Sequence, residues 1–173
     1  MSNPIPSTLI NAKLYNEGRE MLGAGTVELS DLEFMTESVS GLGMAGEMEI
    51  PVLGHTKSIT MTVTWNTLCA TAAELSAPKT HKIAIYASIQ DWDTGNGEFK
   101  ARPVRVMVQG TPKKSGAGKF EPGKKMESTS EFEVTYLKIS VDGEEIVEID
   151  KLNFVCRIRG KDYLSDVRGH LGM

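Results

Sequence analysis

The sequence predicts a mainly β fold, a β-sandwich or barrel-like subunit with one short internal helix and a second helix closing the chain. Three observations carry that expectation. Ile59, Met61, Val63 and Trp65 alternate with Thr60, Thr62 and Thr64, and strict period two with β-branched residues marks a half-buried strand. Similar alternation recurs along the chain between turn signals, of which Asp142 followed by Gly143 is the strongest two-residue hairpin pair. Only one internal stretch, 67–75, pairs a helical stripe with a stop signal. At 173 residues one domain over 1–173 is expected, with long loops near 41–57 and 110–127. A chain of this size buries about 70% of its unfolded surface and needs no metal or disulfide staple.

Each element follows in order. Residues 9–15 and 26–29 read as short strands around a turn at Asn16, Glu17 and Gly18, and the strand at 59–65 comes next. Asn66 is placed as the N-cap of the helix over 67–75, with Leu68, Ala72 and Leu75 on its apolar stripe and Pro78 preventing continuation. Ile83, Ile85, Ala87 and Ile89 face inward on a strand over 82–90, and Val104, Val106 and Val108 on a strand over 99–108. A turn at 91–97 makes these two a hairpin. The glycine-, proline- and lysine-rich stretch 110–125 holds a single large apolar residue, Phe120, and reads as a loop. In the strand over 130–141 the inward phase passes from Phe132, Val134 and Tyr136 to Leu137, Ile139 and Val141, which requires a bulge or burial on both faces. Strands over 145–150 and 152–158 follow, then a helix over 163–171 with Tyr163, Val167 and Leu171 near one stripe.

Lysine and arginine number 19 against 23 acids, a net charge of −4. That balance argues against a general phosphate-backbone binder, which needs a basic surplus on one face, while leaving room for an acidic wall along which nucleic acid slides. Cys69 and Cys156 lack zinc or redox spacing and are expected buried and free. The start, Met1 to Pro6, has neither the basic end nor the apolar run of a secretory signal. No stretch reaches bilayer-spanning length, so no membrane anchor is expected.

Several motifs resemble sites. Gly41, Gly43 and Gly46 have G-x-G-x-x-G spacing, but Glu47, Glu49 and Pro51 follow where the dinucleotide fold needs a helix. Gly118, Gly123 and Lys124 imitate a phosphate loop with Lys125 in place of the serine or threonine. Asp91, Asp93 and Gly95 hint at a calcium loop whose remaining ligands are missing, so a hairpin turn is the better reading. His55, His81 and His170 are scattered, and no nucleophile elbow or metal-ligand spacing occurs. No enzyme, cofactor or metal is expected. Lys113, Lys114, Lys119, Lys124 and Lys125 form either a solvated loop or an arm that docks on the acidic surface of a neighbouring subunit.

At 41–46 and again from Lys124 to the end, most strongly from Glu131, the chain resembles the major tail tube protein family of P2-type contractile phage tails. The residues that carry the likeness are Glu131, Phe132, Glu133, Val134, Thr135 and Tyr136, then 137–140, Val141, Asp142 and Gly143, Ile149 and Asp150, Leu152 and Asn153. Asp166, Val167 and Arg168 with Leu171, Gly172 and Met173 resemble the family's ending. Upstream, Asn16 to Gly18, 41–46, Thr64 with Trp65, and Pro103 to Val106 fit in the same order. The resemblance implies a structural subunit that assembles with itself as homohexameric rings. The rings stack into a hollow conduit inside a contractile sheath, for passage of DNA or an effector. It implies a sheath protein, a tape-measure protein, and baseplate and tail-terminator proteins as partners, with transient, non-specific DNA passage in a phage. Synthesis in the bacterial host cytoplasm and assembly in the virion tail, or a tail-like particle, follow from it.

On that reading, Gly41, Gly43, Met44, Gly46 and Met48 reach the adjacent ring, and the five lysines are further inter-subunit contacts. Thr60, Thr62 and Thr64 face the lumen. The alternatives are the tube of an R-type bacteriocin (tailocin) or of a contractile injection system lacking a genome. From another class, a small β-domain binding module or secreted effector is the competitor.

Overall fold

A computed structural model describes residues 4–21 and 23–173. Met1 to Asn3, part of the start without a secretory pattern, and Leu22 lie outside the described residues. The strands are β1 (Pro4–Asn16), β2 (Arg19–Glu20), β3 (Ala24–Leu29), β4 (Phe34–Val39), β5 (Met48–Thr56), β6 (Thr60–Trp65), β7 (His81–Asp93), β8 (Glu98–Gly116), β9 (Ser128–Val141), β10 (Glu144–Asp150), β11 (Val155–Ile158) and β12 (Lys161–Asp162). Two short helices, α1 (Ala70–Glu74) and α2 (Ser165–His170), complete a mainly β chain. One sheet runs β12-β11-β10-β9-β8-β7-β1-β2, with β6 and then β3 branching from β9; β4 and β5 form a separate pair.

β9 is where the two layers join, and its phase slip explains how. Gln109 pairs with Tyr136 and Gly110 with Val134, so Thr135 is the extra residue of a bulge that bends the strand. Before the bulge, 128–133 pair with β6; after it, 136–141 pair with β10. Gly110 suits the crossing, because a Cβ there would stand 2.8 Å from the Glu133 carbonyl oxygen. The alternating apolar face of β6 turns inward, with Met61, Val63 and Trp65 at 0% exposure. It packs on Leu14, Ile83, Ile85, Val108, Phe132 and Val134 in one cluster that Ala72 and Leu75 close at the helix end. The Trp65 indole donates to the Ser130 hydroxyl at 3.1 Å within that core.

Several boundaries differ from the sequence expectation, because tertiary pairing overrides local signals. Asn66 is not a cap: its backbone bonds Gly23 and Met126, the helix begins at Ala70 after Cys69, and Leu68 is exposed. Cys69 is half-buried while Cys156 is buried, and both are free. β7 continues through Asp91 and Asp93, whose buried carboxylates accept from Arg102 Nη2 (3.0 Å) and Lys100 Nζ (2.6 Å). Paired charges stand there in place of an apolar core. The loop over 110–125 starts only after Gly116, because Ser115 and Gly116 still pair with Ser130 and Thr129. Pro112 is tolerated because β8 has lost its β7 neighbour beyond Gly110. The 152–158 strand shortens to β11 behind a turn. α2 is a single turn and a half with no buried residue of its own; Leu164, its N-cap, is buried, whereas Tyr163 and Leu171 are exposed.

Candidate assembly surfaces

The first surface is the β4–β5 arm. The expected loop over 41–57 is instead a hairpin, since Val39 pairs with Met48, Ser38 with Glu49 and Glu37 with Ile50. Gly43 needs its glycine, with φ at +92° in the turn, whereas Gly41 and Gly46 keep ordinary φ and open surroundings. No helix follows the glycines, so the nucleotide-like spacing is a turn. Leu42, Met44, Met48, Ile50, Met35 and Val39 are all exposed. A two-stranded ribbon with no core of its own is marginal in water, and these side chains form the kind of apolar surface that marks a contact. At its root, Lys57 Nζ bonds the Glu33 carboxylate at 2.9 Å. That bond holds Glu33 below its ordinary range.

The second surface is the threonine face of β6. Cross-strand pairing sets Thr62 between Glu28 and Glu131, Thr64 between Thr26 and Thr129, and Thr60 beside Glu133. All three threonines are half-buried, on the sheet side away from the core. Glu131 lies 3.6 Å from Lys113 Nζ, and Glu133 is 3.4 Å from Lys151 Nζ. Partial burial raises the Glu133 pKa, but bonds from Ser58 and Lys151 overcome it and leave the group below its ordinary value. Glu28 is exposed and has no ion pair among the described residues. The face is hydroxylic and mildly acidic.

The five lysines do not all sit on one loop. Lys113 and Lys114 sit on β8, and the first is already paired with Glu131. Lys119, Lys124 and Lys125 belong to the loop that follows, where Lys124 pairs with Glu121 at 2.5 Å. Backbone bonds from Lys119 to Met126 and from Met126 to Asn66 tie this loop down. Gly118, at φ +80°, leaves no room for a Cβ, which would stand 2.1 Å from the Met126 carbonyl oxygen.

A fourth surface had no separate signal in the sequence. Among the described residues β3 pairs only with β6, and β1 pairs with β7 but, on its other edge, only briefly with β2. The two free edges border a trough of about 550 Å³ lined by Leu9, Ile10, Leu14, Met21, Val27 and Ile85 among others. Ile5, Leu9 and Ile10 are more than half exposed along β1. Unpaired edges of this length are templates for another chain.

Residues 6–172 match the family model described as phage tail tube protein FII. The chain belongs to the phage tail tube protein FII family. Within this tube family, the tail tube protein of Escherichia phage P2 is 28% identical over 159 residues, covering 87% of each chain. The fold is similar to a solved sheath/tube terminator of an extracellular contractile injection system, PVC, with TM-score 0.55 and 11% identity. That match covers 78% of this chain and 96% of the other. It is also similar to a chain of the PVC sheath-tube complex in the extended state, with TM-score 0.50, 13% identity and coverage of 80% and 90%. The mainly β architecture expected for a tube protein is therefore present. Among the described residues of this tube-family chain, no group of three or more His, Cys, Asp or Glu side chains is placed to hold a metal. No helix there is long and apolar enough to cross a membrane.

Proposed function

We propose that this tail tube protein is a structural subunit, without catalysis, whose hexameric rings stack into a hollow conduit inside a contractile sheath. The observation that carries the reading is the pair of free strand edges on β1 and β3 around an apolar trough. A strand of the next copy laid on these edges continues the sheet around a ring, and a many-stranded barrel leaves an open channel. A head-to-tail contact of this kind closes when the rotation closes. Stacking then falls to the β4–β5 arm, with Gly43 shaping its tip and Met44 and Met48 as apolar contacts toward the adjacent ring. Lys119, Lys124 and Lys125 add rim charges for a neighbour's acids.

The threonine face, bordered by Glu28, Glu131 and Glu133, suits a lumen wall. Hydroxyls and carboxylates offer no strong grip to a phosphate backbone, so DNA or a tape-measure protein slides past. A sheath protein outside, with baseplate and tail-terminator proteins at the ends, completes the assembly in the virion tail after synthesis in the host cytoplasm. The identity to a phage tube favours a phage tail over an R-type bacteriocin or other injection particle. Mass photometry of purified protein tests the ring: a species at six times the chain mass is expected, and a monomer at every concentration would overturn it. Deleting residues 43–46 should leave rings but abolish tubes.

A further inference from the structure

We propose that Leu164, presented by the C-terminal segment, is the fulcrum that sets the angle of the β4–β5 arm, and that Gly54 is the notch it seats in. Pairing within the arm breaks between Thr36, opposite Pro51, and Phe34, opposite Thr56. Met35 alone therefore faces Val52, Leu53, Gly54 and His55, a wide bulge dividing the arm from its root. At the centre of this bulge Gly54 has φ +67°, and a Cβ there would lie 2.5 Å from Leu164 Cγ and within 2.7 Å of both its methyls. Leu164 is only 4% exposed.

Leu164 is held from behind. Its backbone N–H donates to Asp162 Oδ1 at 3.0 Å, and Asp162 Oδ2 accepts from Arg168 Nη2 at 2.7 Å. Arg168 Nη1 in turn donates to the Phe154 carbonyl at 2.7 Å. The clamp fixes the leucine to the turn between β10 and β11, so the wedge belongs to the body and not to the arm. On either side of the contact lies open space. One cavity of about 220 Å³ is bounded by Phe34, Leu53, Cys156 and Tyr163, and another of about 140 Å³ by His55, Ile149 and Phe154. A narrow contact flanked by voids is a pivot, because close packing on both sides would have immobilised the arm without it. The last residues of the chain thereby position an element that begins more than a hundred residues earlier, and Leu164 and Gly54 are positioning residues for whatever the arm docks on.

The consequence for assembly rests on the reading that the arm contacts another ring, so the test separates the two. Spin labels at Glu49→Cys on the arm and Glu144→Cys on the body, in a Cys69→Ser background, report the arm angle in unassembled protein. The parent should give one narrow distance distribution. Leu164→Ala should at least double its width, Leu164→Met should restore it, and tube yield should fall about fivefold although no arm residue has changed. Should Leu164→Ala fail to fold, Arg168→Gln loosens the clamp with the wedge retained and should broaden the same distribution. A parental width in the folded variants would overturn the fulcrum. Normal tubes after deletion of 43–46 would overturn the docking reading instead, leaving the distance result to judge the fulcrum alone.

Discussion

Replacing Trp65 by phenylalanine tests how β6 is pinned to β9, the strand where the layers join. The indole is wholly buried, and its N–H is bonded to Ser130 at 3.1 Å. Losing the larger ring leaves a small cavity, costing about 1–2 kcal/mol. Losing the donor strands the Ser130 hydroxyl, itself only 3% exposed, for about 1 kcal/mol more. Trp65→Phe should therefore destabilise by about 2–3 kcal/mol, and Ser130→Ala by about 1 kcal/mol, since it leaves the indole N–H unpaired. The double variant has neither partner, so it should fall short of the sum by about 1 kcal/mol. Urea unfolding of unassembled protein, followed by far-ultraviolet circular dichroism, measures all four corners of the cycle. Additivity within about 0.3 kcal/mol would refute a working indole–serine bond and, with it, this account of how β6 is pinned to β9.

Gly110→Ala should cost about 1–3 kcal/mol in the same assay, because the added Cβ meets the Glu133 carbonyl oxygen at 2.8 Å where backbone cannot yield. Glu133 and Glu145 lie below their ordinary 4.5, and Asp162 below 3.8. Folded protein thus binds these protons more weakly than unfolded chain. The stability they add is complete above those values and is lost as pH falls through the lowered ones. Melting temperature should drop on acidification below about pH 4.5, less steeply in Asp162→Asn; a flat profile from about pH 5 to 3 would contradict it. In assembled tubes, Thr62→Cys should react with a small maleimide but not with one carried on a polymer too wide for the channel. Equal reaction with both would remove the threonine face from the lumen.

Period-two alternation was enough to place β6 and the inner face of β7, because those strands have one buried and one wetter face, and the Asp142–Gly143 pair was enough to place its turn. A slip was visible as well, but it was placed at Tyr136–Leu137; its cause, the Thr135 bulge where β9 exchanges β6 for β10, lies just before Tyr136, which is only half-buried. Composition misled where pairing overrode it. Residues 110–116 look like a loop yet extend β8 against β9, and 48–56 look like a loop yet form half the arm. Asp91 and Asp93 were read as turn residues because local sequence does not reveal that Arg102 and Lys100 come back opposite them. Of the candidate contacts, the 41–48 residues and the threonines were singled out by glycine content and alternation, although the strand pairing around the turn was not expected. The free edges of β1 and β3 were not, since which strand lacks a neighbour is a property of topology alone.

In the proposed assembly these edges close a ring and the rings stack. Negative-stain electron microscopy of the purified protein tests it most directly. Tubes of uniform diameter with a stain-filled central channel are expected, giving way to rings when residues 43–46 are deleted. A field of separate monomers at every protein concentration, with neither rings nor tubes, would contradict it.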